Sequence, residues 1–165
     1  MTEDDHQYRR GVGVMLLNTQ GQVFVGARTD NPEDSWQMPQ GGIDADEKPW
    51  RAALRELEEE TGIMPALVEL IAECPERLRY DLPEEWRPRL WGGKWRGQEQ
   101  DWFLTRFLGS DSDINIATAN PEFRDWKWVE AHELPDLIVP FKRDLYRQLL
   151  VHFEEWLSGS SGGRP

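Results

Sequence analysis

The chain has 165 residues, with 31 acidic against 19 basic side chains and a net charge of −12, so its surface as a whole repels nucleic acid. No stable nucleic-acid complex is expected, and any anionic substrate must be met by local cations or by metal. A single cysteine, Cys74, excludes an internal disulfide and a cysteine-rich zinc site.

That cysteine usage suits a reduced, cytoplasmic setting. No apolar run approaches the ~20 residues of a membrane span, and the acidic start MTEDDHQYRR does not read as a signal peptide. Length predicts one domain over 1–157. The final SGSSGGRP, 158–165, reads as a flexible tail.

In chain order, residues 11–17 (GVGVMLL) read as a strand, Asn18 to Gly21 as a turn, and 22–27 as a returning strand. Arg9, Arg10 and Arg28 stand at the ends of this pair. Arginine there serves solubility or, being the side chain best matched to phosphate, substrate contact. A loop over 31–35 leads to Trp36, which reads either as core or as part of a pocket wall. Gly41, Gly42, Asp44 and Asp46 mark a further loop. Pro49 suits the first position of a helix, and Gly62 the left-handed residue that closes it.

That helix carries four carboxylates in five positions, Glu56 and Glu58 to Glu60. Glu56, Glu59 and Glu60 are spaced i, i+3, i+4 and share one face, while Leu54 and Leu57 with Ala53 form an apolar edge that can dock on a core. Such a face is either a solvated charge run or a site for a hard divalent cation, because oxygen-only ligands select Mg²⁺, Mn²⁺ or Ca²⁺ over Zn²⁺. Partly buried carboxylates ~5 Å apart repel by about 3 kcal/mol at an effective dielectric near 20, and a bound cation relieves that repulsion.

Downstream, strands are predicted over 67–73, 77–82, 97–107 and 125–129. Pro83 to Gly93 is rich in Pro, Gly and Trp and reads as a long loop or flap, a kind of segment that often carries function. A short helix is expected near Glu130. Residues 141–157 are amphipathic, with Leu145, Leu149, Leu150, Phe153 and Trp156 on a core stripe. Strands before, between and after helices indicate an α+β domain with helices packed on the faces of a mixed β-sheet.

Gly41, five residues, Glu47, seven residues, Arg55-Glu56-Leu57, one residue, Glu59-Glu60, one residue and Gly62-Ile63 together resemble the Nudix box at every fixed position, nine in 23 residues. The resemblance implies the Nudix α/β/α sandwich and a hydrolase of nucleoside diphosphates linked to another group, dependent on Mg²⁺ or Mn²⁺. It further implies that Glu56, Glu59 and Glu60, with Gly41, hold the metal, that Arg55 orients a carboxylate such as Glu59, and that Glu47 braces the loop.

The likeness extends beyond the box. Ser35-Trp36-Gln37-Met38-Pro39-Gln40, Leu78-Arg79-Tyr80, Gly97-Gln98, Pro121-Glu122-Phe123 and Phe141-Lys142-Arg143-Asp144 resemble the bacterial RNA 5′-pyrophosphohydrolase and diadenosine polyphosphate hydrolase group. The substrate would then be an RNA 5′-end polyphosphate or a dinucleoside polyphosphate. Carried over, Arg9 and Arg28 lie near the polyphosphate, Tyr80 and Lys142 contact phosphate, Trp36 and Gln40 join the substrate pocket, and Phe141 stacks on the first base. On its own pattern Phe141 is equally a core residue. Glu122 reaches the metals from outside the box and, with Glu59, is a candidate general base.

Glu99 and Asp101 depart from the lysines common in the group. Facing the groove they would weaken RNA binding; facing solvent they would matter little. A non-catalytic Nudix domain that only binds a nucleotide is the alternative, although such domains usually lose box glutamates and none is missing here.

Overall fold

A computed structural model of the chain describes residues 7–30 and 35–161, with the backbone alone for 158–161. A mixed seven-stranded sheet runs in the order β4-β6-β1-β2-β7, with β3 also paired to β1 and β5 to β6. The strands are β1 Tyr8–Leu17, β2 Val23–Arg28, β3 Gln40–Gly42, β4 Val68–Glu73, β5 Leu78–Asp81, β6 Gly97–Phe107 and β7 Phe123–Val129. Among the described residues only the central β1–β6 pair is parallel, in register from Tyr8↔Gly97 to Leu17↔Arg106; the other strand pairs are antiparallel. Strand 97–107 has the predicted bounds, whereas β1 begins three residues earlier than its apolar run, in Tyr8-Arg9-Arg10.

Alternation along β1 and β6 divides the core in two. Val12, Val14, Leu16 and Phe103 pack with Ala52, Ala53 and Leu57 of helix α1, Pro49–Thr61. On the other face Met15, Leu17, Trp102 and Leu104 pack with Leu134, Leu145, Leu149 and Phe153. Those four belong to, or lie between, helices α2 Leu134–Leu137, α3 Arg143–His152 and α4 Glu154–Ser161. The sheet therefore lies between helical layers, as the α/β/α expectation required. Of the stretch 158–165 read as a flexible tail, the backbone of 158–161 instead continues α4 as helix, and 162–165 lie outside the described residues.

Helix α1 starts with Pro49 and ends at Gly62, whose φ of 73° places it in the left-handed region and whose N–H bonds the Glu58 carbonyl at 2.8 Å. Two expectations change. Gln40-Gly41-Gly42 is a strand rather than a loop, paired as Gly11↔Gly42, Val12↔Gly41 and Gly13↔Gln40. Side-chain-free residues on both strands made the segment look loop-like, yet they are what lets the strands and the groups beside them come close. The C-terminal amphipathic run is not continuous either: a 3₁₀ turn over Pro140–Lys142 precedes α3, and α3 and α4 break at Phe153. Among the described residues no helix is long and apolar enough to cross a membrane.

Candidate functional site

β2 and β3 both flank β1, one toward each end, and the chain opens beside them into a cavity of about 650 Å³. Its wall takes Arg9 from β1, Arg28 from β2, Gln40 to Gly42 from β3, Glu56 from α1, Tyr80 from β5 and Glu122 from just ahead of β7. Phe141 and Lys142 enter from the 3₁₀ turn before α3. Residues separated by more than 130 positions thus meet in one place.

The acidic side is built on α1. Arg55 holds Glu47 in a two-point pair, Nε to Oε2 and Nη2 to Oε1, both 2.8 Å. The Glu47 carboxylate also accepts from the Asp44 N–H at 3.0 Å. These bonds hold the Glu47 carboxyl down to about 2 and keep the Arg55 guanidinium charged. Glu47 therefore braces the loop ahead of the helix. The carboxylate that Arg55 holds most closely is Glu56, at 2.7 Å; Glu59 is 3.4 Å away and more than half exposed.

Glu60 is fully buried, and neither carboxylate oxygen makes a close hydrogen bond. Burial, then the nearby Glu122 and Glu56, push its carboxyl well above the usual range, against a weaker pull from the Gln40 backbone and Arg28. Glu56 is raised by burial against the pull of Arg55, and Glu122 by burial against Arg28. Gly41, expected among the ligands, is drawn into the sheet opposite Val12, and a Cβ there would overlap the Glu56 carboxylate. The missing side chain leaves the space that Glu56 occupies.

Among the described residues no three acidic, histidine or cysteine side chains already converge as a closed ligand set, since Glu56 and Glu59 lean on Arg55. The donors nevertheless fit a hard divalent cation. They are all oxygen, they repel one another, and the two buried oxygens of Glu60 make no close hydrogen bond.

The basic and aromatic side faces this acid. Arg28 is held by Asp30 through two bonds of 2.8 Å, so a phosphate there has to compete with a carboxylate. Lys142 Nζ stands 4.8 Å from the Tyr80 ring centre, and burial, with Arg28 second, lowers its ammonium to about 8. Tyr80 lines the cavity, but its hydroxyl donates to Gln98 Oε1 at 3.0 Å, inside the wall. That bond continues a ladder in which Gln100 donates to Gln98 and Gln40, and Trp102 donates to Gln100. Phe141 is half-buried, and its ring meets Trp86 edge-on at 5.1 Å.

Trp36 is not in the cavity wall. The isolated bridge Gly26↔Gln37 gives that place to Gln37, whose buried Nε2 has no partner, while the Trp36 ring packs on the core beneath Lys127, 4.2 Å away. Sequence reasoning also missed Asp30, Trp86 and Trp91 as wall residues. The two tryptophans had a signal, since their loop had been singled out by composition; Gln37 and Asp30 had none.

Glu99 and Asp101 take neither of the two anticipated orientations. On β6 they alternate with the inward Gln98 and Gln100 and so lie on the sheet face opposite the cavity wall. There Arg79 bonds Glu99 at 2.8 Å, Arg10 bonds Asp101 at 2.6 Å, and Arg77 spans both at 3.6–3.7 Å. Their charge is neutralised locally and does not enter the groove.

A family model described as NUDIX domain matches residues 7–149. The chain is 59% identical over 150 residues to an RNA pyrophosphohydrolase of Roseobacter denitrificans, covering 91% of this chain and 94% of that protein. It is 57% identical over 152 residues to an RNA pyrophosphohydrolase of Erythrobacter litoralis, covering 91% and 93%. Among solved structures, E. coli dihydroneopterin triphosphate pyrophosphohydrolase superposes with a TM-score of 0.69 at 23% identity over 87% of this chain and 97% of the other. A C. elegans Ap4A hydrolase gives 0.65 at 20% identity over 92% and 98%. At these identities the structural likenesses speak for the fold.

Proposed function

The chain belongs to the NUDIX family and is a hydrolase of phosphoanhydride bonds, and on that premise we propose that it is an RNA 5′-pyrophosphohydrolase that works with Mg²⁺. Dinucleoside polyphosphates are the second substrate class. The observation that carries this reading is one cavity in which the half-buried carboxylates of Glu56, on α1, and Glu122, just ahead of β7, oppose Arg9, Arg28 and Lys142 beside an aromatic platform. That combination suits a polyphosphate chain ending in a nucleotide. RNA ranks first because Glu99 and Asp101 turn from the groove, and because the relatives at 57–59% identity carry that name.

In this reading Glu56, Glu59, Glu60 and Glu122, with Gly41, hold the divalent ions. Nudix hydrolases use divalent ions generally, and when bound these supply charge neutralisation at phosphate oxygens and a more acidic water. The side chains of the chain do the rest. Arg9, Arg28 and Lys142 bind the phosphate oxygens, which is most of what phosphoryl transfer asks of a protein. Phe141 stacks on the first base, an interaction that accepts any base. Water attacks phosphorus, one phosphoanhydride bond breaks, and pyrophosphate leaves the RNA end. The water's proton goes to a carboxylate oxygen of Glu122 or Glu59; Glu122 lines the cavity, and its raised affinity for protons suits a base working near neutral pH. Arg55 keeps Glu56 and Glu47 in place.

The test compares kcat/KM for 5′-triphosphorylated RNA, 5′-diphosphorylated RNA, diadenosine tetraphosphate and diadenosine pentaphosphate, with Mg²⁺ and with EDTA. RNA ends should be preferred and EDTA should abolish turnover. Preference for the dinucleotides would move the protein to the second class, and binding without turnover would make it a nucleotide-binding module. Glu56→Gln should lower kcat/KM at least ~100-fold, the upper range for damaging a metal site; a loss of only a few-fold would sink the ligand assignment.

A further inference from the structure

Arg9 differs from Arg28, the other arginine of the cavity wall, in what holds it. Arg10, Arg28, Arg55, Arg77, Arg79, Arg96 and Arg106 each pair with a carboxylate within 4 Å. Among the described residues Arg9 has no carboxylate partner, although the chain holds 31 acidic residues and Asp30 and Glu56 line the same cavity. Instead its Cζ lies 4.9 Å from the centre of the Trp91 ring. It also packs so closely on Gly42 that a Cβ there would overlap the guanidinium.

The backbone that presents Trp91 is strained. Trp91 has φ of 50°, a left-handed value that a bulky side chain rarely adopts, and Gly92 and Gly93 follow at 72° each. The turn is closed by the Gly93 N–H on the Leu90 carbonyl at 2.8 Å, and the Trp91 ring packs partly on the core. A glycine at 91 would adopt that φ without strain. The tryptophan side chain is therefore kept at a backbone position that disfavours it, with its ring against Arg9.

We propose that Trp91 is a positioning residue: it holds the Arg9 guanidinium in the cavity through its ring face, leaving the N–H donors free for the phosphate chain. This rests on the reading that Arg9 contacts polyphosphate. The chemistry favours a ring over an acid. A carboxylate partner would occupy the same donors that a phosphate needs, as Asp30 does at Arg28, whereas a π face restrains the cation without consuming a single N–H.

The experiment uses the full chain with Mg²⁺ and 5′-triphosphorylated RNA, and measures KM and kcat separately for Trp91→Gly, Trp91→Phe, Arg9→Ala and Arg9→Ala/Trp91→Gly. Thermal midpoints are taken alongside. Trp91→Gly should raise KM about fivefold while kcat moves less than about twofold, in line with one lost cation–π contact. Its thermal midpoint should stay within ~3 °C of wild type, since relief of the left-handed strain offsets lost packing. Trp91→Phe should restore KM to within about twofold. In the Arg9→Ala background, adding Trp91→Gly should change KM less than about twofold, because the residue it acts through is gone. An equal rise in KM in both backgrounds, or a wild-type KM in Trp91→Gly while Arg9→Ala raises it, overturns the positioning role. A wild-type KM in Arg9→Ala overturns the proposal through the polyphosphate reading beneath it.

Discussion

Glu60 is buried close to the Glu56 and Glu122 carboxylates that line the cavity, and its burial carries a cost. Its carboxylate is fully buried, without a close hydrogen bond, and near two further carboxylates. Leaving a buried polar group unsatisfied costs about 1–3 kcal/mol, and an uncompensated buried charge costs more. Glu60→Gln keeps the shape and removes the charge, so in EDTA at pH 8.5 it should stabilise the fold by about 2 kcal/mol. For a domain of this size that is a rise in Tm of about 4–8 °C.

The pH dependence of that gain follows from the direction of the shift. The folded carboxyl binds its proton more tightly than the unfolded one, whose value is 4.5, so wild-type stability is full below 4.5 and falls as pH rises through the folded value. The advantage of Glu60→Gln should therefore shrink toward pH 5 and grow toward pH 8.5. Saturating Mg²⁺ should reverse the order, since wild type then gains a ligand that the variant binds weakly. Thermal unfolding by circular dichroism in EDTA at both pH values, and at pH 8.5 with Mg²⁺, measures all three. A variant less stable than wild type in EDTA at pH 8.5, or a gain unaffected by pH, would refute the claim that the buried charge is uncompensated.

Three further outcomes are expected. Phe141→Ala should raise KM for RNA about tenfold if the ring stacks on a base, given ~1–3 kcal/mol per stacked base; a fall in Tm with unchanged KM would assign Phe141 to packing alone. Lys142 titrates at about 8, so it is charged below that pH and neutral above it. KM should consequently rise about tenfold between pH 7 and 9.5, as one charge-assisted contact is lost, and Lys142→Arg should remove that rise; the same pH profile in wild type and variant would clear Lys142 of any part in binding. Asp101→Asn should lower Tm by about 2–4 °C, for roughly 1 kcal/mol of ion pairing with Arg10 and Arg77, and leave kcat/KM for RNA unchanged. A severalfold rise in kcat/KM would instead mean that its charge reaches the substrate.

Local chemistry was readable wherever the signal was local. Pro49 and Gly62 bounded α1 because a fixed φ and a freedom for left-handed geometry act on single residues. Period and composition placed β6 to the residue, and the spacing of Glu56, Glu59 and Glu60 put three carboxylates on one face before any fold was known. The pairing of Arg55 with Glu47 was anticipated only as bracing by Glu47, since eight residues of loop and helix separate them and their distance depends on how the loop folds back. Gln40 to Gly42 hid as a loop, because a strand of glycines has no periodicity to read.

Contacts across the chain lay beyond the pattern. The exchange of Gln37 for Trp36 in the wall turns on a single bridge to Gly26, and a shift of one residue in an extended segment reverses which side chain faces inward. The same rule sent Glu99 and Asp101 to the arginines of the far face and Gln98 and Gln100 to the cavity wall. Arg9 and Trp91 are 82 positions apart, so neither could announce the other. The sequence by itself determined the fold family, the acidic helix and the chemistry on offer, because these depend on residue type at fixed spacing. Only the tertiary structure decided which carboxylate is buried without a close hydrogen bond and which cations keep their donors free, because burial and pairing depend on the register that brings distant strands and loops together.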